Sequence, residues 1–502
     1  MKNLKYLFAV AFLGQASYGF AQNEVDALRY SQTQFGGTAR TLGIGGANVA
    51  LGADLGSLST NPAGLGMYQR SEFSFSPGLG LSNTETTAFG TKTSDARNSL
   101  HIGSIGFALA NRRPDNDENP WRGGAFAIGL TRTNDFNQNS RYSAQPSFRQ
   151  DFLQRLSEDQ VEGIDDLAYD VYLTDVFKDR FNRDSVGLSS PFRDTGRLNQ
   201  EESFETRGSQ TQVDIGYGAN YKDRLYVGGG VGIVSSRFSS TRVITATDPA
   251  PAEPNTPGTS FSSVTYRQTQ DTRGAGINVR VGAIYRINDV VRVGAAIQSP
   301  TYMTLTETYG ESMTATFDKS VTVQGKSYTS ASSSIDPNES SYALTTPFRA
   351  SGGLSAIIGK HGFISGDMEY LDYSQARLSN DNSSTATTTF DFADDNANVK
   401  QLYHSAVNVR VGGELRFDIF RLRAGYARYG DAYKKNDFDR TQNYFTGGVG
   451  IRQKSFFLDV AGVYGTNKRV YTPYFLSNAQ DTPIVTVDGN RYTTTVTAGW
   501  SF

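Results

Sequence analysis

The sequence predicts an all-β chain: an antiparallel transmembrane β-barrel of about fourteen strands, with an N-terminal segment held inside its lumen. Three observations carry this prediction. Stretch after stretch alternates apolar and polar residues with a period of two. Short connections between those stretches alternate with long ones. No stretch reaches the ~20 consecutive apolar residues that a helical membrane span needs.

The last stretch, Arg491–Phe502, is the clearest strand end. Tyr492, Thr494, Val496, Ala498, Trp500 and Phe502 fall on one side, and Thr493, Thr495, Thr497, Gly499 and Ser501 on the other. A strand of a soluble sandwich can look the same. A strand that closes a membrane barrel must show one face to lipid and the other to the lumen, and leave no edge.

At the other end, Lys2 and Lys5 precede the apolar run Tyr6–Leu13, and Gly19, Phe20 and Ala21 follow it. This reads as a secretory signal peptide over residues 1–21, cut near Ala21 and Gln22. The chain has no cysteine, so an exported protein of this length must draw its stability from burial or from a closed sheet. A formal net charge of -2 makes no general case for nucleic acid. Hydrophobic residues make up 37% of the chain, with 27 Tyr, 31 Phe and 52 Gly. That apolar share is low for a packed soluble core, whereas a barrel needs apolar residues on one face of each strand.

Residues 22–70 are Gly- and Ala-rich and not strand-like, with brief helical possibilities around Asp26–Tyr30 and Ala53–Leu58. The GxGG at Gly43–Gly46 follows no strand and opens no βαβ unit, so it is not a nucleotide fingerprint. From residue 71 to 502 the alternation sets in. Ile105, Phe107 and Leu109 share a face with Gly103, and Phe126, Ile128 and Leu130 with Gly124. Val279, Val281, Ala283, Tyr285 and Ile287 share another. In the sharpest case Val407, Val409, Val411, Leu415 and Phe417 stand against Asn408, Arg410, Glu414, Arg416 and Asp418.

The expected strands are 71–81, 98–110, 122–136, 206–219, 224–240, 260–286, 290–305, 341–359, 362–376, 400–418, 420–429, 441–452, 454–465 and 491–502. Gaps after the even members are mostly one to four residues, and the long gaps follow the odd members. That is the layout of periplasmic turns and extracellular loops. The largest loop, 137–205, carries apolar residues at helical steps over Phe152–Leu156 and Val161–Phe177, which suggests short amphipathic helices over the barrel mouth. Residues 250–258, 382–389 and 478–489 read as irregular or solvated loops.

No catalytic, cofactor or metal site is expected. His101, His361 and His404 lack metal-ligand spacing, and no nucleophile elbow or paired-carboxylate motif stands out. The charged residues of the lumenal face are more informative. Arg280 and Arg286, Asp367 and Glu369, Arg410, Glu414, Arg416 and Asp418, and Arg421 and Arg423 fall on four strands with both signs present. Mixed charge inside a barrel needs partners, so these residues form either an ionic network that grips an N-terminal plug or a polar passage.

Asn61-Pro62-Ala63-Gly64-Leu65, just ahead of the first strand, resembles the signature of the FadL/OmpP1/TodX family of outer-membrane transporters. Ile284-Tyr285-Arg286 through Val293-Gly294-Ala295 and Ser299-Pro300-Thr301 resembles the family's middle hairpin. Thr346-Pro347-Phe348-Arg349, Gly366-Asp367-Met368-Glu369-Tyr370 and Asp372-Tyr373 resemble a later one, so the likeness runs from about Gly36 to Phe502. The resemblance implies a fourteen-stranded barrel whose N-terminal segment is a hatch, with Asn61, Pro62 and Ala63 as the hatch signature. It also implies passive transport of a hydrophobic small molecule, of the long-chain fatty acid or aromatic hydrocarbon type, that leaves sideways through a kinked-strand opening. The loops depart from the better-known members, and no fatty-acid contact maps onto this chain.

The expected function is therefore passive outer-membrane transport without catalysis, by a monomer. Its surroundings would be outer-membrane lipid and lipopolysaccharide, and its partner in biogenesis the barrel-assembly machinery. The alternatives are a non-transporting scaffold, adhesin or secretion-partner barrel, and a general diffusion porin.

Overall fold

The computed structural model describes residues 23–158, 164–178, 184–188, 197–249, 261–381 and 390–502. The expected signal peptide and the loop tips at 250–258 and 382–389 lie outside the described residues. In chain order the strands are β1 (Glu72–Ala88), β2 (Thr91–Arg112), β3 (Trp121–Asp135), β4 (Gln138–Ala144), β5 (Thr174–Lys178), β6 (Asp184–Leu188) and β7 (Asn199–Tyr221). There follow β8 (Leu225–Thr247), β9 (Phe261–Arg286), β10 (Val291–Gln298), β11 (Tyr302–Val323), β12 (Lys326–Thr345) and β13 (Arg349–Ile358). The last are β14 (Gly362–Asp372), β15 (Arg377–Asn380), β16 (Ser405–Phe417), β17 (Phe420–Tyr429), β18 (Gln442–Arg452), β19 (Phe456–Tyr471) and β20 (Val485–Ser501).

Apart from the β5–β6 hairpin, these form one 18-membered antiparallel sheet. β3 continues into β4, β10 into β11, β12 into β13 and β14 into β15, so the wall has 14 strands. It closes where β1 pairs with β20, from Glu72 opposite Ser501 to Thr87 opposite Thr486.

The apolar faces point outward. Val407, Val409, Val411, Leu415 and Phe417 are between 37% and 55% exposed, while Asn408, Arg410 and Glu414 on the same strand are buried. Tyr492, Val496 and Trp500 on β20, and Phe502 just after it, are exposed in the same way. A soluble sandwich would bury these faces. A barrel exposes them to hydrocarbon, and aromatic contacts such as Trp121–Tyr221 and Phe456–Trp500 beside the short turns make its interfacial girdle. Among the described residues no helix is long and apolar enough to cross a membrane; the closed wall with its apolar exterior is that of an outer-membrane barrel.

Several boundaries differ from expectation. The gap expected at 82–97 is a continuation of β1 and β2 joined at Phe89 and Gly90, whose φ angles are 47° and 82°. The gap expected at 306–340 is the β11–β12 hairpin, joined at Gln324 and Gly325. In these ends both faces of the strands carry mostly polar residues, which erases the alternation. Residues 400–402 belong to a helix, Ala393–Leu402, rather than to a strand. On β2, a bulge at Gly103 reverses the face: Ser76 lies opposite Ser104 but Pro77 opposite Ile102, so Ile102 and Leu100 turn outward.

Residues 23–68 fold inside the barrel as a helix (Asn23–Ser31), short turns at Ala39–Gly43 and Ser57–Thr60, and a 3₁₀ segment (Pro62–Met67). Leu55, Leu58 and Leu65 pack on Ala108, Ala125 and Ala127 of the wall. Over the outer mouth, Phe152, Leu153, Leu156, Ile164, Leu167 and Val171 pack on Ile244, Phe261, Tyr266 and Met313. Of the helix expected at 161–177, residues 161–163 lie outside the described residues; the described part is helical over Ile164–Asp170, stops before Tyr172, at φ 65°, and places Val176 on the β5 strand instead.

Candidate functional site

The signature residues lie at the contact between the internal segment and the wall. Asn61 caps the 3₁₀ turn by accepting the Ala63 N–H at 3.1 Å. Its amide nitrogen donates to the carbonyls of Val49 at 2.8 Å, Ala283 at 3.2 Å and Ala295 at 3.3 Å. Pro62 sits at the first helical position, where its missing N–H costs nothing. The wall opposite is bare backbone: a Cβ on Gly282 would strike Asn61 Oδ1, and one on Gly412 would strike the Ile44 carbonyl. The internal segment therefore docks backbone against backbone.

Six of the ten expected lumenal residues are brought together around that segment. Arg280 donates to Leu58 O at 2.7 Å and faces Asp214 at 3.4 Å. Asp367 accepts the Val49 N–H at 2.9 Å. Glu369 pairs with Arg410 at 3.1 Å and Arg349 at 3.6 Å, and Arg349 reaches Thr33 Oγ1 at 2.7 Å. Glu414 pairs with Arg423 at 2.8 Å and Arg40 at 3.7 Å, and Arg423 with Asp459 at 2.6 Å. Arg280, Glu369, Arg410, Glu414 and Arg423 thus each have an opposite charge beside them, as buried ions need, whereas Asp367 makes no ion pair among the described residues and one of its carboxylate oxygens is buried without a partner. Arg416 joins from the rim through Glu414 at 2.7 Å. Arg286, Asp418 and Arg421 sit at periplasmic turns and stay outside this network: Arg286 pairs with Asp289 at 3.1 Å, and Arg421 donates to Asp418 O at 2.6 Å.

A cavity of about 360 Å³ lies between residues 25–42 and the wall. Leu28, Phe35, Phe136, Phe238, Tyr444 and Val463 give it an apolar lining, and Arg132, Asp135, Arg469 and Arg491 a polar margin. It meets the wall where the ladder fails. The β2–β3 pairing stops at Ser104 opposite Thr131, although β1–β2 continues to Ala88 opposite Thr91. On β3 the register with β7 slips between Arg132 and Asn134, and Phe136 and Asn137 separate β3 from β4.

Backbone groups at this break are satisfied from elsewhere. The Thr133 carbonyl accepts from Gln34 N at 2.8 Å, and Asn134 donates from its side chain to Gln32 O at 3.0 Å. Arg491, reaching in from β20, donates to Asp135 O at 3.1 Å and Asn137 O at 2.5 Å. Arg132 and Arg491 both pair with the Asp135 carboxylate, at 3.1 and 3.6 Å. Sequence reasoning missed Arg132, Asp135 and Arg491. The available signal was the run Thr133-Asn134-Asp135, whose side chains compete with a ladder for backbone hydrogen bonds.

No family model matches the chain, and no curated protein sequence does. Among solved structures, that of the Pseudomonas putida toluene transporter TodX is similar with a TM-score of 0.51 and 13% identity, covering 94% of this chain and 100% of its own. A Pseudomonas aeruginosa FadL homologue is similar with a TM-score of 0.51 and 11% identity, covering 94% of this chain and 99% of its own. At these identities the likeness is one of architecture, and it agrees with the closed wall, the occupied lumen and the apolar exterior: the chain has the FadL-like outer-membrane transporter fold.

Proposed function

We propose that this chain passes small hydrophobic compounds across the outer membrane without energy input or catalysis, with residues 22–70 as a hatch and 71–502 as the barrel. One observation supports the reading most: a cavity lined in part by apolar side chains meets the wall where β2 and β3 cease to pair. A ligand released there enters the membrane sideways and never crosses the ion-paired floor of the lumen. TodX, of the same fold, is a toluene transporter.

Of the two ligand types, a fatty acid suits the cavity better. Arg469 lines it and donates to Ser140 Oγ at 3.3 Å, and its guanidinium lies 5.0 Å from the Phe204 ring. Its Nε is buried without a partner, and among the described residues no ion pair reaches it. A guanidinium outside the ion pairs of the described residues, lining a cavity beside apolar side chains, matches one carboxylate on an apolar chain.

Uptake of radiolabelled palmitate and toluene by cells with and without the protein tests this. Palmitate uptake that falls on deletion and in Arg469→Gln supports the proposal. Toluene uptake that falls on deletion but not in Arg469→Gln moves the ligand to the aromatic type. Unchanged uptake of both overturns transport. It favours a scaffold, adhesin or secretion partner, for which exposed Phe148, Tyr169 and Val176 on the outer cap are the supporting observation.

A further inference from the structure

A second cavity, of about 450 Å³, lies at the opposite, periplasmic end of the lumen, between Leu51–Met67 and the wall. Arg40, Arg112, Arg286, Arg292 and Arg416 line it, and Asp223 is the acidic residue among its lining. Charge is concentrated there against the ordinary rule for sheets. Arg292 stands directly across the β9–β10 ladder from Arg286, and Arg416 directly across β16–β17 from Arg421. Like charges directly opposite one another destabilise a sheet.

Four of the five arginines have carboxylate partners. Arg112 pairs with Asp223 at 2.9 Å, Arg286 with Asp289 at 3.1 Å, and Arg416 and Arg40 share Glu414 at 2.7 and 3.7 Å. Glu414 is shared again with Arg423. Arg292 makes no ion pair among the described residues. It donates to Leu51 O at 3.2 Å, and its Nε is buried with no partner. An arginine facing other arginines, with a donor unused, leaves the cavity short of negative charge.

We propose that this cavity binds a small oxyanion, a carboxylate or a phosphate, with Arg292 as its anchor and Arg286 as the second contact. The bound anion offsets the repulsion between the two arginines. Because Arg292 also holds the Leu51 carbonyl, the anion ties the internal segment to the wall at its periplasmic side. The site is independent of the transport reading: it concerns the other end of the lumen and needs no transported ligand.

The test is calorimetric titration of the full-length protein in nonionic detergent with inorganic phosphate and with acetate, at constant ionic strength in chloride. Saturable binding of either is expected, weakened roughly tenfold or more in Arg292→Gln and Arg286→Gln, since each removes a charge-assisted hydrogen bond. Arg113→Gln, which alters an exposed arginine paired with Asp117 outside the cavity, leaves binding unchanged. Amide exchange at residues 51–53 slows on anion addition in the natural protein and not in Arg292→Gln.

Nanodiscs distinguish the sources. If phosphatidylglycerol discs abolish phosphate binding and phosphatidylcholine discs do not, a lipid headgroup fills the site; if neither does, a free anion fills it. No saturable binding of any probe overturns the proposal. So does equal binding in Arg292→Gln, Arg286→Gln and Arg113→Gln. Should Arg292→Gln fail to fold, Arg286→Gln alone decides between these outcomes.

Discussion

Asn61 donates from its side-chain amide to the backbone carbonyl of Ala283, 3.2 Å away on β9. The same nitrogen serves Val49 O and Ala295 O, so one side chain joins two parts of the internal segment to two strands. Asn61→Ala removes this junction and the 3₁₀ cap together. A loss of about 1–3 kcal/mol is expected from the buried carbonyls alone. The folded band on unheated electrophoresis should convert at a lower temperature, and ion conductance in a planar bilayer should rise. Unchanged values for both would show that the segment is held elsewhere.

Gly412 carries no side chain because the Ile44 carbonyl occupies the place of its Cβ. Gly412→Ala is expected to push the Ile44 turn off the wall at a cost of about 1–3 kcal/mol, the usual range for overpacking. The ladder partners Ser365 and Gly425 are unaffected, so the barrel persists. Protease should then cut within residues 36–52 while the wall stays resistant.

Arg491→Gln tests the break between β2 and β3. Without the guanidinium, the carbonyls of Asp135 and Asn137 lose a shared donor and the Asp135 carboxylate one of its two cations. Amide exchange over residues 133–138 should quicken at least tenfold, with β16–β18 unchanged. Equal exchange in both proteins would mean that Arg491 does not hold the kink.

Asp151 gives the outer cap a pH dependence. It caps the Phe152–Leu156 helix by accepting Gln154 N at 2.8 Å, and burial pushes its carboxyl from the ordinary 3.8 up to about 6. The folded cap therefore holds its proton more tightly than the unfolded loop. Cap stability is greatest below the lower value, falls as pH rises through the interval to about 6, and is flat above it. Asp151→Asn keeps the capping oxygen and removes the ionisation. Protease protection of residues 145–158 should drop between pH 5 and pH 7.5 in the natural protein and stay level in the variant.

The membrane-embedded part of the fold was legible because lipid imposes the alternation. Val407–Phe417 and Tyr492–Phe502 could be oriented from residue types alone, and the structure exposes the same faces. The outer ends were not legible. Residues 91–98 and 327–341 are mostly polar on both parities, so no face stands out as apolar, and the signals left were Gly90 and Gly325 at their turns.

For the site, parity placed Arg280, Asp367, Glu369, Arg410, Glu414 and Arg423 on the inward face, and the structure buries all six. Parity cannot tell depth, so Arg286, Asp418 and Arg421 at the rim were grouped with them. It cannot show which ladder bonds are missing, so the break at β3, which needs two strands to define it, was invisible.

The groups that complete this break come from opposite ends of the chain. The contact of Arg491 with Asp135 spans 356 residues, and that of Thr497 with Ala39 spans 458. Such contacts form late, after the loop-closure entropy of nearly the whole polypeptide has been overcome. The break between β2 and β3, in the form held by Arg491, is consequently a property of the finished barrel and of no partly inserted intermediate. A chain stalled before β20 joins β1 lacks the residue that satisfies the Asp135 and Asn137 carbonyls, so closure of the wall and the order of this break are coupled by topology.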